Sequence, residues 1–208
     1  MSPRAELIRA FTLVEMIIVI GIILILAGFV LAVSGFVQEK GKCSRAETEI
    51  AAISAALESY KADNGIYPRD GNTDALAAVT DQNFSSKTPP DPVPTSYNSD
   101  PKGTDAGANS YRSASFSLYT QLSGNISGDR STITQRSYFQ FKPNMLFPLG
   151  GTGTVTAIVD PFGFVYGYST AKTNDPTKGF NPTYDLWSTA GSNASDKAAY
   201  EQKWIKNW

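Results

Sequence analysis

From residue 16 to residue 37 no side chain carries a charge and almost all are apolar. At about 1.5 Å per residue, these 22 positions reach roughly 33 Å as a helix, the thickness of a bilayer's hydrocarbon core. The run therefore predicts one membrane crossing. The pattern then changes: over residues 38–60, Ile50, Ile53, Leu57 and Tyr60 recur three or four apart, with Glu47, Glu49, Glu58 and Lys61 on other faces. That stripe predicts an amphipathic helix packed on one side. Asn64-Gly65 suits a left-handed cap and Pro68 follows, so the helix should stop near Asp63. Together the two segments predict one helix of about fifty residues, apolar all round and lipid-facing in its first half and the spine of a folded domain in its second.

Beyond residue 65 the signals shorten. A small helix is predicted over 74–80, capped by Asn72 or Thr73, and another over 116–122, closed by Gly124. Residues 85–109, rich in Pro, Ser, Asp, Asn and Gly, read as a long surface loop within a loop-rich region spanning 70–150. Residues 138–141, 154–159, 164–168 and 184–188 are aromatic or β-branched and bounded by Gly, Pro and Asn, which predicts strands of an antiparallel meander over 137–188. Asp160-Pro-Phe-Gly163 has the composition of a tight turn. After it Phe164, Tyr166 and Tyr168 alternate onto the face resting on the spine, with Val165 and Gly167 opposite. Residues 195–208 predict a terminal helix that docks through Tyr200 and Trp204. The fold class is α+β.

Composition narrows the chemistry. The chain has 208 residues, 41% hydrophobic and 18% charged, with a formal net charge of -1. No large positive field exists, so no nucleic-acid partner is indicated. Cys43 is the sole cysteine, which excludes an intrachain disulfide, and it reads as a small half-buried helix residue. There is no histidine, which removes Ser-His-Asp and Cys-His catalysis and histidine zinc sites. Gly150-Gly-Thr-Gly153 lacks the Lys and the helix of a phosphate loop and reads as a turn. The chain is not expected to be an enzyme.

A carboxylate, Glu15, stands at the mouth of the apolar run, where it needs either interfacial depth or a partner. Ten residues precede Phe11, and Phe11-Thr-Leu-Val-Glu15 runs into Met-Ile-Ile-Val-Ile-Gly-Ile. These residues resemble the prepilin signal of type IV pilins and type II secretion pseudopilins. The stretch Leu57-Glu-Ser-Tyr-Lys-Ala-Asp-Asn-Gly-Ile-Tyr-Pro68 resembles the end of the family's spine helix. Asp160-Pro-Phe-Gly163, Tyr166-Gly-Tyr168, Tyr184-Asp-Leu-Trp-Ser188 and Asn207-Trp208 resemble, more loosely, the C-terminal part of major pseudopilins.

The resemblance implies a pilin-like fold, with the long helix on a small antiparallel sheet. It implies a leader over 1–10, a transmembrane and filament-core helix over 11–37, a spine over 38–64 and a globular domain over 65–208. A prepilin peptidase would cut between Ala10 and Phe11, with N-methylation of Phe11; the family usually carries Gly where this chain has Ala10. Glu15 would pair with a neighbouring copy's new amine during helical self-assembly. Partners would be an inner-membrane platform, an ATPase and minor pseudopilins. Location would be the bacterial inner membrane, single pass, N-terminus cytoplasmic and folded domain periplasmic; Arg4 and Arg9 before the span against Lys40, Lys42 and Arg45 after it leave the charge rule ambiguous. The implied role is a structural subunit of a type II secretion pseudopilus; the alternatives are a type IV pilin of a surface fibre and a monomeric membrane-anchored binding protein. The family's calcium loop falls on Ser188, Asn193 and Asp196, against the rival of a turn closed by Ser and Asn hydrogen bonds.

Overall fold

The computed structural model describes residues 12–76, 98–191 and 203–208. The first helix, α1 (Leu13–Asn64), is 52 residues long. It stops where Gly65 takes φ +78° and its amide bonds Lys61 O at 2.8 Å, as the Asn-Gly pair predicts. Contacts divide the chain into two units, Met1–Gly41 and Lys42–Trp208. In the first unit Leu13, Ile17, Leu24, Phe29 and Phe36 are all more than half exposed.

In the second unit the apolar stripe of α1 is the floor of the core. Ile50, Ile53, Ala56 and Leu57 pack with Leu118, Leu122, Met145, Ile158, Tyr166, Tyr168 and Leu186. One residue of the predicted outer faces departs from that pattern. Glu49 is only 11% exposed, pairing with Arg45 at 2.8 Å and accepting the Tyr166 hydroxyl at 2.9 Å. Its charge is tolerated because both partners come with it.

The small helix after the spine is α2 (Gly71–Ala75), and its cap is Asp70 rather than Asn72 or Thr73. The Asp70 carboxylate accepts the amides of both those residues at 2.9 Å, while Thr73 Oγ1 accepts the Asp70 amide at 3.0 Å, a reciprocal box that satisfies the helix's open donors. The next helix among the described residues, α3 (Ala106–Ser123), has 18 residues and begins ten positions before the predicted one, capped by Asp105, so 106–109 of the expected loop are helical; residues 85–97 of that loop lie outside the described residues. Its small polar first half has poor helix propensity, but Ala108, Tyr111, Ala114 and Ser115 are buried, and that packing prevails. Gly124 ends it at φ +72°.

Residues 138–141 form no strand. The amides of Tyr138 and Phe139 both go to Leu122 O, the end of α3, and Phe141 packs into the core without a ladder. The strands are β1 (Leu146–Phe147), β2 (Ala157–Ile158), β3 (Gly167–Ser169), β4 (Asp185–Ser188) and β5 (Ile205–Lys206). They form an antiparallel pair β1-β2 and an antiparallel sheet in the order β3-β4-β5. A bridge between Val159 and Val165 links the two. The predicted terminal helix over 195–208 therefore ends as a strand paired to β4; residues 195–202, with Tyr200, lie outside the described set. Trp204 does dock, stacking on Trp187 with centroids 5.8 Å apart.

Both faces of this sheet are covered. Tyr166, Tyr168 and Leu186 face α1, whereas Val165, Trp187 and Trp204 join Tyr111 and Ala114 of α3 in a second cluster. Gly167 has no room for a side chain: a Cβ there would lie 2.1 Å from Trp187 Cε2.

Candidate assembly site at the start of the first helix

Three hydrogen bonds organise the first turn of α1. Glu15 Oε2 accepts both the amide and the hydroxyl of Thr12 at 2.9 Å, and the Glu15 amide donates to Thr12 Oγ1 at 3.2 Å. This is a capping box built on Thr12-Leu-Val-Glu15. It gives Glu15 a local role that the sequence reading did not assign, although the spacing of Thr and Glu carries the signal. One carboxylate oxygen, Oε2, is thus committed to its own helix, and among the described residues Oε1 accepts no bond. Ala10 and Phe11 lie outside the described residues. The helix that follows is long and apolar enough to cross a membrane.

The loop expected to hold calcium is described only at its beginning. Ser188 is fully buried; its hydroxyl donates to Asp160 Oδ2 at 2.5 Å and accepts the Ala190 amide at 3.0 Å. Its hydroxyl thus closes a turn. Asn193 and Asp196 lie outside the described residues. Just before Ser188, each Asp185 carboxylate oxygen accepts one amide, Oδ2 from Phe180 and Oδ1 from Asn181, both at 2.8 Å. Among the described residues no three of His, Cys, Asp and Glu converge as metal ligands.

Asp160 is the pivot of the predicted tight turn. Its Oδ1 accepts the amides of Phe162 and Phe164 at 2.9 Å, and Gly163 closes the turn with φ +91° and an amide bond to Asp160 O. Burial pushes the Asp160 carboxyl above its ordinary range, opposed first by the Ser188 hydroxyl. Burial likewise raises Asp185, opposed by the two loop amides. The Tyr166 hydroxyl is pushed up by burial and then by the Glu49 charge beside it. A pocket of about 240 Å³ lies between the end of α1 and the residues around Thr170 and Pro182. Cys43 is a free, half-buried thiol.

Residues 36–117 match the family model described as type II secretion system protein G. The type II secretion system core protein G of Vibrio cholerae serotype O1 is 40% identical over 58 residues, which cover 28% of this chain and 40% of that relative. The chain thus aligns with two fifths of the length of the curated relative it matches. No solved structure matches.

Proposed function

We propose that this chain is a structural subunit of a type II secretion pseudopilus, a periplasmic filament that supports protein export. The observation that carries the reading is the continuity of two features. The stretch similar to protein G begins at residue 36, where the exposed apolar part of α1 gives way to its amphipathic part, and the apolar part opens on a single carboxylate, Glu15. The subunit enters the inner membrane through residues 16–37, with its folded part on the periplasmic side. A prepilin peptidase removes residues 1–10, and the exposed Phe11 amine is methylated.

Assembly then follows from elementary electrostatics. A charge stranded among apolar helices is costly, and two opposite charges placed there together offset that cost. Glu15 Oε2 is held by Thr12, which fixes the carboxylate's orientation. Oε1 is the acceptor for the new amine of the next copy. An assembly platform, an ATPase and minor pseudopilins supply what a single chain lacks.

Deleting the gene and restoring it with wild-type or Glu15→Ala chain tests this. Wild type restores release of secreted proteins and yields methyl-Phe11 by mass spectrometry of the native N-terminus. Glu15→Ala remains inserted but neither polymerises nor restores secretion. An uncut Met1 on a solitary membrane protein would sink the proposal, and filaments on the cell surface with secretion intact would point to a type IV pilin.

A further inference from the structure

Ile66 is the first residue past the left-handed turn that ends α1, and it is 64% exposed. It lines the pocket of about 240 Å³ whose other wall includes Pro182 and Thr183. The described lining belongs wholly to the unit Lys42–Trp208, so the pocket depends on neither the membrane span nor polymerisation.

Both walls are held in place. The Tyr67 ring meets Tyr184 edge-on at 4.8 Å, and its hydroxyl donates to Glu58 Oε1 at 2.8 Å. On the other wall Thr170 is buried, donating its amide to Thr73 O at 3.0 Å and its hydroxyl to Asp74 Oδ1 at 2.7 Å. A pocket formed in advance asks little ordering of the protein when it is filled.

The described lining carries two cations, Lys61 and Arg69, and no carboxylate. The Arg69 charge is met by Asp74, which its Nε reaches at 2.8 Å. Lys61 has no such partner. Among the described residues its ammonium makes no ion pair, resting 4.5 Å from the centroid of the Tyr67 ring and donating to that residue's hydroxyl at 3.3 Å. Glu58 reaches it only through the shared Tyr67 hydroxyl, and Asp63 is taken by Arg136 at 2.7 Å. A ring face steadies an ammonium without neutralising it, leaving it free to meet an anion.

We propose that this pocket docks a segment of a partner protein in which one large apolar side chain stands beside a carboxylate. Volume sets the size of the occupant: the pocket lies below the roughly 300–1,000 Å³ of clefts that enclose whole small molecules, and it takes a single side chain. Ile66, Pro182 and the Tyr67 ring give that side chain apolar walls, and filling the pocket takes the exposed surface of Ile66 out of water. Charge sets the chemistry of its neighbour, because the Lys61 ammonium attracts a carboxylate and repels a basic group. A free phosphate would meet the ammonium and leave the apolar walls wet. The folded unit's other exposed large apolar side chains, Ile126, Ile133 and Leu149, have no carboxylate as a sequence neighbour, so the described surface of this chain does not itself present the segment. One anchoring side chain in a formed pocket, with a charged neighbour at its edge, is how a small area carries much of an interface's binding energy.

Nuclear magnetic resonance of the full chain in maltoside micelles tests the pocket with the peptide acetyl-Asp-Phe-Glu-amide, its neutral form acetyl-Asn-Phe-Gln-amide, and acetyl-Asp-Ser-Glu-amide, which lacks the apolar side chain. The first should shift the Gly65, Ile66 and Thr183 amides saturably while Thr120 of α3 stays in place. The neutral form should bind roughly three- to fivefold more weakly, the worth of one exposed ion pair, and high salt should erase that difference. The serine peptide should not saturate the shifts. Lys61→Gln should lower the acidic peptide to the affinity of the neutral one, and Ile66→Ser should weaken both phenylalanine peptides. Both side chains are exposed, so each variant should keep the wild-type spectrum elsewhere. Equal binding of the acidic and neutral peptides, no shift at their solubility limit, or the same shifts from inorganic phosphate overturns the docking site. So do shifts of these amides that grow with protein concentration alone, which would seat a second copy in the pocket. None of these outcomes bears on the Glu15→Ala assay.

Discussion

Adding one methyl group at Gly167 should damage this fold more than any surface change of its size. The ideal Cβ position lies 2.1, 2.3 and 2.6 Å from Trp187 Cε2, Cζ2 and Cδ2. Ordinary carbon contacts are about 3.5–4.0 Å, so the indole or the strand must shift by more than ~1 Å. The indole has nowhere to go. Its Nε1 donates to the Tyr111 hydroxyl at 3.1 Å, Trp204 stacks on it at 5.8 Å, and Trp208 meets it edge-on at 6.0 Å. Overpacking of this kind costs about 3 kcal/mol, the upper part of the usual range. For a folded unit of this size that is a fall in Tm of roughly 6–12 °C. The assay is thermal unfolding of the full chain in mild detergent, followed by tryptophan fluorescence and near-ultraviolet circular dichroism. Gly41→Ala is the control: no atom lies within 4 Å of its added Cβ, and Ala is the better helix former, so Tm should hold or rise. Gly167→Ala combined with Trp187→Leu should recover part of the loss, because the clash goes with the ring. A Gly167→Ala chain melting within about 2 °C of wild type would refute the packing argument.

Other outcomes follow from the buried polar groups. Asp160 and Asp185 have carboxyls raised by burial, so their neutral forms favour the fold; that contribution is present below the ordinary carboxylate range and lost as pH rises through the raised values. Asp160→Asn keeps an oxygen for the turn amides and should flatten the fall in Tm as pH rises above the ordinary carboxylate range, an idea abandoned if the pH profile is unchanged. Tyr166→Phe removes one hydrogen bond to Glu49 and should cost about 1 kcal/mol in denaturant unfolding, while Glu49→Ala leaves the buried hydroxyl without its acceptor and should cost about 2 kcal/mol. Equal costs would contradict that order. Because the Ser188 hydroxyl is occupied by its own turn, calcium or a chelator should leave Tm unchanged; a calcium-dependent rise of several degrees would place an ion in the loop.

The sequence by itself determined what local pattern can specify. The uncharged run at 16–37, the stripe through Ile50, Ile53 and Leu57, and the left-handed stop at Gly65 are properties of neighbouring residues, and each stands where the pattern put it. Glu15 was legible as an anomaly for the same reason, since a carboxylate at an apolar mouth needs no partner chain to be noticed. Its bond to Thr12 is equally local, three residues away, and the Thr-x-x-Glu spacing of a capping box carries it.

Tertiary structure decided whatever depends on residues far apart in sequence. Helix propensity argues against the first half of α3, yet Tyr111 and Ala114 are buried beneath Trp187 and Val165, and that burial holds the helix together. Aromatic composition suggested a strand at 138–141, but the Tyr138 and Phe139 amides bond Leu122 O at the end of α3 rather than a neighbouring strand. The last residues looked helical until β4 offered an open edge to Ile205 and Lys206. Hydrogen-bond partners and burial are set by the whole chain at once, and a run of ten residues cannot state which distant surface will cover it.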